Sequence, residues 1–215
     1  MTELGDLADT FYFALDTNIH GTAKADNRTL MKGPGTIEET LNGLRFIIAP
    51  DTFFQSNTAQ AEKLFTRVQE LASLHGRPEV ALDLFAGTGA LGLEALSRGA
   101  AHVTMVENGR VALGLIGQNL SKLGCEAEVR LIRRDATRLG PCPDAPCDLL
   151  FLDPPYGKSL GAKALQAAQD GGWIAAGALI VWEENAPMPA PPGFTPVDAR
   201  KYGDTHVTLL NYAPE

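Results

Sequence analysis

Four short clusters in this sequence carry residue types that could do chemistry. The most specific is Asp153-Pro154-Pro155-Tyr156. Its two prolines remove two backbone donors and fix the local turn. What remains is the Asp153 carboxylate, the Pro154 carbonyl and the Tyr156 ring, which are hydrogen-bond acceptors beside a stacking surface. Such a set suits a planar exocyclic amine, because acceptors take its N–H protons while the ring stacks on its face. The same acceptors would stabilise positive charge growing on that nitrogen as it attacks a methyl sulfonium. The second cluster is Gly87, Gly89 and Gly92, a full G-x-G-x-x-G. Glycines there let a turn bend tightly and let a nucleotide-like ligand touch the backbone; a tight β–α turn is the plainer reading. The third is Glu107, 20 residues after Gly87, at the spacing where an acidic side chain grips ribose hydroxyls. The fourth is Asp135 with Ala136, where an acceptor could take an adenine amino group or serve only as a helix cap.

Those clusters need elements to hold them. Residues 80–85, 102–106, 129–133 and 149–152 read as short strands, and each ends at one of the clusters. Residues 90–98, 112–123 and 162–169 have helical spacing, and 178–183 is a fifth strand. Strands alternating with short helices predict a parallel, doubly wound α/β sheet. Right-handed crossovers then bring the carboxyl ends of the strands to one edge, where ligands bind. Residues 197–202 and 206–212 predict a closing hairpin. Upstream, residues 56–75 read as a helix capped by Ser56 or Asn57 and stopped by Gly76 and Pro78. Residues 10–15 read as a strand, and 36–41 and 44–49 flank Asn42-Gly43, a strong hairpin signal. Residues 18–34 are polar and Gly-rich and read as loop. The expected division is a small β-rich extension over 1–50 and a ligand-binding domain over 51–215.

Composition bounds the function classes. A chain of 215 residues with 45% hydrophobic and 20% charged residues is an ordinary globular domain rather than a disordered one. Its net charge is −8, so contact with nucleic acid requires a local basic patch. Arg130, Arg133, Arg134 and Arg138 cluster around the third strand of the sheet; a solvated face explains them equally well. Three scattered cysteines, Cys125, Cys142 and Cys147, fit reduced thiols in a cytoplasm. Their spacing does not make a zinc site, and His20, His75, His102 and His206 have no sequence neighbours that suggest a metal. No apolar run is long enough to span a membrane, and the first residues lack the pattern of a signal peptide.

Residues 79–212 resemble the RNA guanine-N2 methyltransferases that act on small-subunit (16S) ribosomal RNA. The matching text is Leu82-Asp-Leu-Phe-Ala-Gly-Thr-Gly-Ala-Leu-Gly-Leu-Glu-Ala-Leu-Ser-Arg-Gly-Ala100, Asp153-Pro-Pro-Tyr-Gly-Lys158, Gly172-Trp173 and Arg200-Lys-Tyr-Gly-Asp-Thr205. The resemblance implies a Rossmann-like class I fold with S-adenosylmethionine as cofactor, S-adenosylhomocysteine as product and no metal. It implies that Asp83, Phe85, Ala86, Gly87, Thr88 and Gly89 line the methionine end of the cofactor. Glu107 with Asn108 would hold the ribose, Asp135 and Ala136 would meet the adenine, and Asp153 to Tyr156 would hold the target amine. The implied partner is RNA, as small-subunit ribosomal RNA or an assembling particle, met by a cytoplasmic monomer.

Residues 36–70 resemble a different lineage. Gly43-Leu-Arg-Phe-Ile-Ile-Ala-Pro-Asp-Thr-Phe-Phe-Gln-Ser-Asn57 and Gln60-Ala-Glu-Lys-Leu64 are similar to the segment before the cofactor domain in RNA uracil-5 methyltransferases. That resemblance implies a cofactor contact for Gln55, while Phe53 and Phe54 read as core. The chain therefore looks like a hybrid joined near residues 76–80. Uracil C5 chemistry needs a thiolate after the fourth strand of the sheet, and the last cysteine here is Cys147. The expected reaction is direct in-line transfer to an amine. Methylation of an adenine or cytosine amine in DNA, or of a protein amide, remains open on these residues. So does a cofactor-binding but idle hybrid. A nicotinamide dehydrogenase would leave Asp153 to Tyr156 unexplained.

Overall fold

A computed structural model describes residues 10–15, 27–49, 58–74 and 78–214. β1 (Phe11–Leu15) and β2 (Asn27–Lys32) pair as a two-stranded antiparallel sheet. The loop expected across 18–34 is therefore a strand over its second half. Its side chains give no period-two signal, and Leu30 and Met31 stay exposed. The main-chain ladder to β1 holds it, and a ladder leaves no mark on composition. β3 (Ile37–Leu41) and β4 (Leu44–Ile48) form the expected hairpin. Asn42 (φ 49°) and Gly43 (φ 83°) are both left-handed, as a type I′ turn demands. α1 (Thr58–Leu74) follows, with Leu64, Phe65, Val68 and Leu71 buried. The caps expected at Ser56 or Asn57, the Gly76 stop and the ligand contact expected of Gln55 lie outside the described residues, as do Phe53 and Phe54.

The rest of the chain builds the sheet. In order it runs β5 (Val80–Leu84), α2 (Ala90–Ser97), β6 (His102–Glu107), α3 (Arg110–Leu123) and β7 (Val129–Arg133). It continues through β8 (Cys147–Leu152), α4 (Leu160–Asp170), β9 (Ile174–Glu184), β10 (Phe194–Tyr202) and β11 (Thr205–Tyr212). The spatial order is β10-β11-β9-β8-β5-β6-β7. The five strands from β9 to β7 are parallel, and β11 and β10 close the edge antiparallel. This is the Rossmann-like α/β sheet that alternating strands and helices predict.

Helices cover both faces because the inner strands are apolar on both. On one face Leu93 of α2 and Ile116 and Leu120 of α3 pack with Leu64 and Phe65 of α1. Leu41 and Phe46 of the β3–β4 hairpin, fully buried, join that same cluster. On the other face Ala164, Leu165 and Ala168 of α4 meet Leu150, Leu152 and Trp182. From β5 the chain winds outward through β6 to β7, then returns to β8 on the opposite side of β5. The crevice at this reversal, outside the carboxyl ends of β5 and β8, is where an open α/β sheet takes a ligand.

Candidate active site

The glycine turn leaves β5 and opens α2. Phe85 (φ 66°), Gly87 (φ 58°) and Gly89 (φ 82°) all take left-handed backbone angles. For Phe85 that conformation is costly, and it persists only where its surroundings impose it. The N–H groups of Phe85 and Ala86 both donate to the Val106 carbonyl, each at 3.1 Å, which folds the turn against β6. Gly92 lets α2 lie on the sheet: a Cβ there would stand 2.7 Å from Met105 and 2.9 Å from Val103.

Glu107 closes this turn from the next strand. Its Oε2 accepts the Gly87 N–H at 2.8 Å, and its Oε1 accepts the N–H groups of Asn108 (2.9 Å) and Gly109 (2.7 Å). Oε1 is thereby filled, while Oε2 keeps one lone pair for an incoming hydroxyl. Asp135 follows β7. Its Oδ1 accepts from Thr137 N–H (2.9 Å) and Oγ (2.8 Å), so the capping reading is realised. These bonds from Thr137 hold its carboxyl below the ordinary range. Ala136 is buried beside it.

Asp153 follows β8 directly, with Pro154 buried, Pro155 exposed and Tyr156 half-buried. Burial pushes the Asp153 carboxyl well above the ordinary carboxylate range, and the charges of Glu183, Asp83 and Glu184 add to it. Tyr156 is pushed up to about 12, first by burial and then by Asp153; it remains a neutral phenol. Its hydroxyl lies 3.4 Å from Thr205 Oγ of β11. Asp83 is fully buried. Its Oδ2 accepts the Gly92 N–H at 2.9 Å, while its Oδ1 has no hydrogen-bond partner. Burial raises this carboxyl to about 7, against the effect of Gly92.

Asp83, Glu107, Asp135 and Asp153 therefore lie along one edge of the sheet, at the carboxyl ends of four strands. Sequence reasoning passed over Glu183 and Glu184, which end β9 at the same edge and are 2% and 5% exposed. The signal was available: two acids close an otherwise apolar strand, as single acids close its neighbours. The Arg cluster around β7 is partly committed elsewhere. Arg130 pairs with Asp144 at 2.9 Å, and Arg134 donates to the Leu139 carbonyl; Arg133 and Arg138 are exposed.

All three cysteines lie away from this edge. Cys147 opens β8 and Asp153 follows its end, a separation of about 20 Å at the rise of an extended strand. Cys142 precedes that strand, and Cys125 follows α3. Burial drives the Cys147 thiol upward, away from thiolate. A cavity of about 190 Å³ beside Cys147, His102 and Trp173 lies at the amino edge. Among the described residues, no group of three His, Cys, Asp or Glu is arranged to hold a metal ion. No described helix is long and apolar enough to cross a membrane.

The site can thus present backbone donors and carboxylates to a nucleotide-like ligand, and acceptors with a neutral aromatic ring to a planar amine. Comparison with known proteins gives matches in sequence and, separately, in fold. Ribosomal RNA small subunit methyltransferase D of Escherichia coli K12 is 38% identical over 102 residues, covering 47% of this chain and 51% of that protein. The chain thus spans about half the length of this curated relative. Mouse tRNA (uracil-5-)-methyltransferase homolog A is 51% identical over 63 residues, 29% of this chain and 10% of that protein. A solved structure of a putative methyltransferase from Escherichia coli superposes with a TM-score of 0.68 at 26% identity, covering 83% of this chain and 99% of that one. The family described as conserved hypothetical protein 95 matches residues 57–211, most of the chain and all but the last residue of the seven-stranded sheet, and the chain belongs to that family.

Proposed function

We propose that the protein is an S-adenosylmethionine-dependent methyltransferase acting on an exocyclic amine of a nucleobase, foremost guanine N2 in small-subunit ribosomal RNA. The observation that carries this reading is the group of carboxyls at the carboxyl ends of β8 and β9, which accept hydrogen bonds once ionised. Asp153, Glu183 and Glu184 all bear on Tyr156, which stays a neutral phenol. Guanine offers donors at both N1–H and N2–H₂ on that edge, matching such a group. Adenine sets the acceptor N1 beside its amine and would face carboxylates with a lone pair. A flipped guanine stacking on Tyr156 fits this arrangement.

The residues present also fit the cofactor. The buried Asp83 Oδ1, without a partner of its own, suits an ammonium group, and Glu107 Oε2 has one lone pair left for a ribose hydroxyl. Bound S-adenosylmethionine would supply an electrophilic methyl group. Around it, Phe85, Ala86, Gly87, Thr88 and Gly89 would line the methionine end. Asn108 would flank the ribose, and Asp135 and Ala136 would meet the adenine. Gln55 would contribute from before α1. Asp153 would draw the target N–H protons and stabilise the charge that grows on nitrogen. The position of Cys147 argues against uracil C5 chemistry.

Residues 36–70 would derive from the uracil-5 lineage and the remainder from the guanine-N2 lineage, joined near residues 76–80. The division into an extension over 1–50 and a catalytic domain over 51–215 belongs to the same reading, as does a cytoplasmic monomer. The deciding experiment incubates the protein with labelled S-adenosylmethionine and hypomethylated small subunits, free ribosomal RNA or DNA, then identifies the labelled nucleoside. N2-Methylguanosine is the expected product. 5-Methyluridine, or no label on any of these, would overturn the proposal.

A further inference from the structure

Asn119 of α3 is fully buried and stands in the apolar stripe formed by Leu115, Ile116 and Leu120. Its amide reaches two separate parts of the chain. Oδ1 accepts the Ile47 N–H at 2.7 Å, and Nδ2 donates to the Ile47 carbonyl at 3.2 Å. The side chain thus satisfies both backbone groups of Ile47 in β4, as a neighbouring strand would. The same Nδ2 donates to the Thr88 carbonyl at 3.1 Å. Thr88 is the middle residue of the glycine turn and is itself buried. The amide has one chemically sensible orientation: the reverse would set its NH₂ against an N–H and its oxygen against two carbonyls.

The other end of the hairpin is tied separately. Asn42 donates through Nδ2 to Glu94 Oε1 at 2.7 Å, and its N–H donates to Glu62 Oε1 at 3.1 Å. Glu94 belongs to α2, the helix that the glycine turn opens. The hairpin therefore grips both the helix after the turn and, through Asn119, the turn itself.

We propose that Asn119 is a positioning residue that couples the β3–β4 hairpin to the glycine turn, so that hairpin docking and cofactor binding reinforce each other. The proposal rests on the cofactor reading given above. A turn with three left-handed residues needs external anchors. Glu107 anchors it at the Gly87 N–H, and Asn119 anchors it at the Thr88 carbonyl. A ligand that orders the turn also orders the amide and, through it, Ile47. By linkage the effect is reciprocal, so a docked hairpin raises affinity at the turn.

The test uses the whole 215-residue chain with S-adenosylhomocysteine as the probe. Calorimetry measures its dissociation constant, and hydrogen exchange follows the amides of β4. In the wild type, the probe is expected to slow exchange across β4, Ile47 included. Asn119→Ala is expected to weaken binding about tenfold, as loss of a buried hydrogen bond with an orphaned partner does, and to abolish that protection. Asn42→Ala, which leaves the turn untouched, is expected to weaken binding about threefold through the hairpin alone, which is less than a full buried bond. Phe194→Leu, in β10 at the far edge of the sheet, serves as a control. It is expected to lower the melting temperature and leave the dissociation constant within about twofold, since sites this far apart act independently. Binding by the wild type with no change in β4 exchange would overturn the coupling, even if Asn119→Ala failed to fold. Asn119→Ala and Phe194→Leu losing affinity alike, in step with stability, would also overturn it. No binding by the wild type would remove the cofactor reading and the coupling with it, a result distinct from either of these.

Discussion

Asp153 and Asp83 share an electrostatic problem. Both carboxyls are raised, chiefly by burial, and each lies in the field of other carboxylates. An Asp153 that accepts the amine's N–H must be ionised, so the rate of methyl transfer should rise with pH through its raised titration and flatten above it. A rate that falls over that rising limb would contradict the assigned role. Asp153→Ala should cut kcat by about 100-fold or more, as loss of a preorganised acceptor does. S-adenosylhomocysteine binding should survive within a few-fold; loss of both together would show that the residue serves the cofactor or the fold. For Asp83 the sign runs through stability. The folded state holds its proton up to about pH 7, whereas the unfolded carboxyl releases it near its ordinary value. Stability is therefore lost as pH rises through that window. Asp83→Asn keeps an acceptor for Gly92 and removes the charge, so it should raise the melting temperature at pH 8 by several degrees, at about 2–4 °C per kcal/mol. At pH 4 the gain should vanish. Equal melting shifts at both pH values would refute the buried-charge account.

Among the elements, the glycine turn and α2 act as a unit with β6. A Cβ at Gly92 would meet Val103 at 2.9 Å, and Val is a stiff β-branched side chain. Gly92→Ala should therefore cost about 1–3 kcal/mol by overpacking. A chemical denaturation curve with an unchanged midpoint would show that α2 can shift freely. The Asp153 turn, the glycine turn and the Asn42-Gly43 hairpin were all readable from sequence, because each is set by backbone preferences within a few residues. β2 was not, because its partner is β1 and its own side chains carry no alternation. Asn119 gave one faint signal, a single polar residue in an apolar helical stripe. Its partners lie 72 and 31 residues away, beyond the reach of local pattern.

For the whole molecule, the net charge of −8 means that the proposed RNA substrate would have to be met by local contacts, and ligand binding should report most directly on the fold. A ligand at 100 times its dissociation constant adds about 2.7 kcal/mol to stability. For a chain of this size that is a rise of about 5–10 °C in melting temperature. S-adenosylhomocysteine should produce that shift, and a nicotinamide dinucleotide should produce none; the opposite result would favour a dehydrogenase. By itself the sequence determined the alternation of strands and helices, hence the parallel sheet, and four of the acids that end its strands. Those follow from short-range periodicity and turn chemistry. Tertiary structure alone decided which acids share one environment. Strand order, with β9 beside β8 and β8 beside β5, brings Glu183 and Asp83 to bear on Asp153. It also decided that the β3–β4 hairpin packs into the core beside the sheet, because burying Leu41 and Phe46 requires the face that α1, α2 and α3 assemble together.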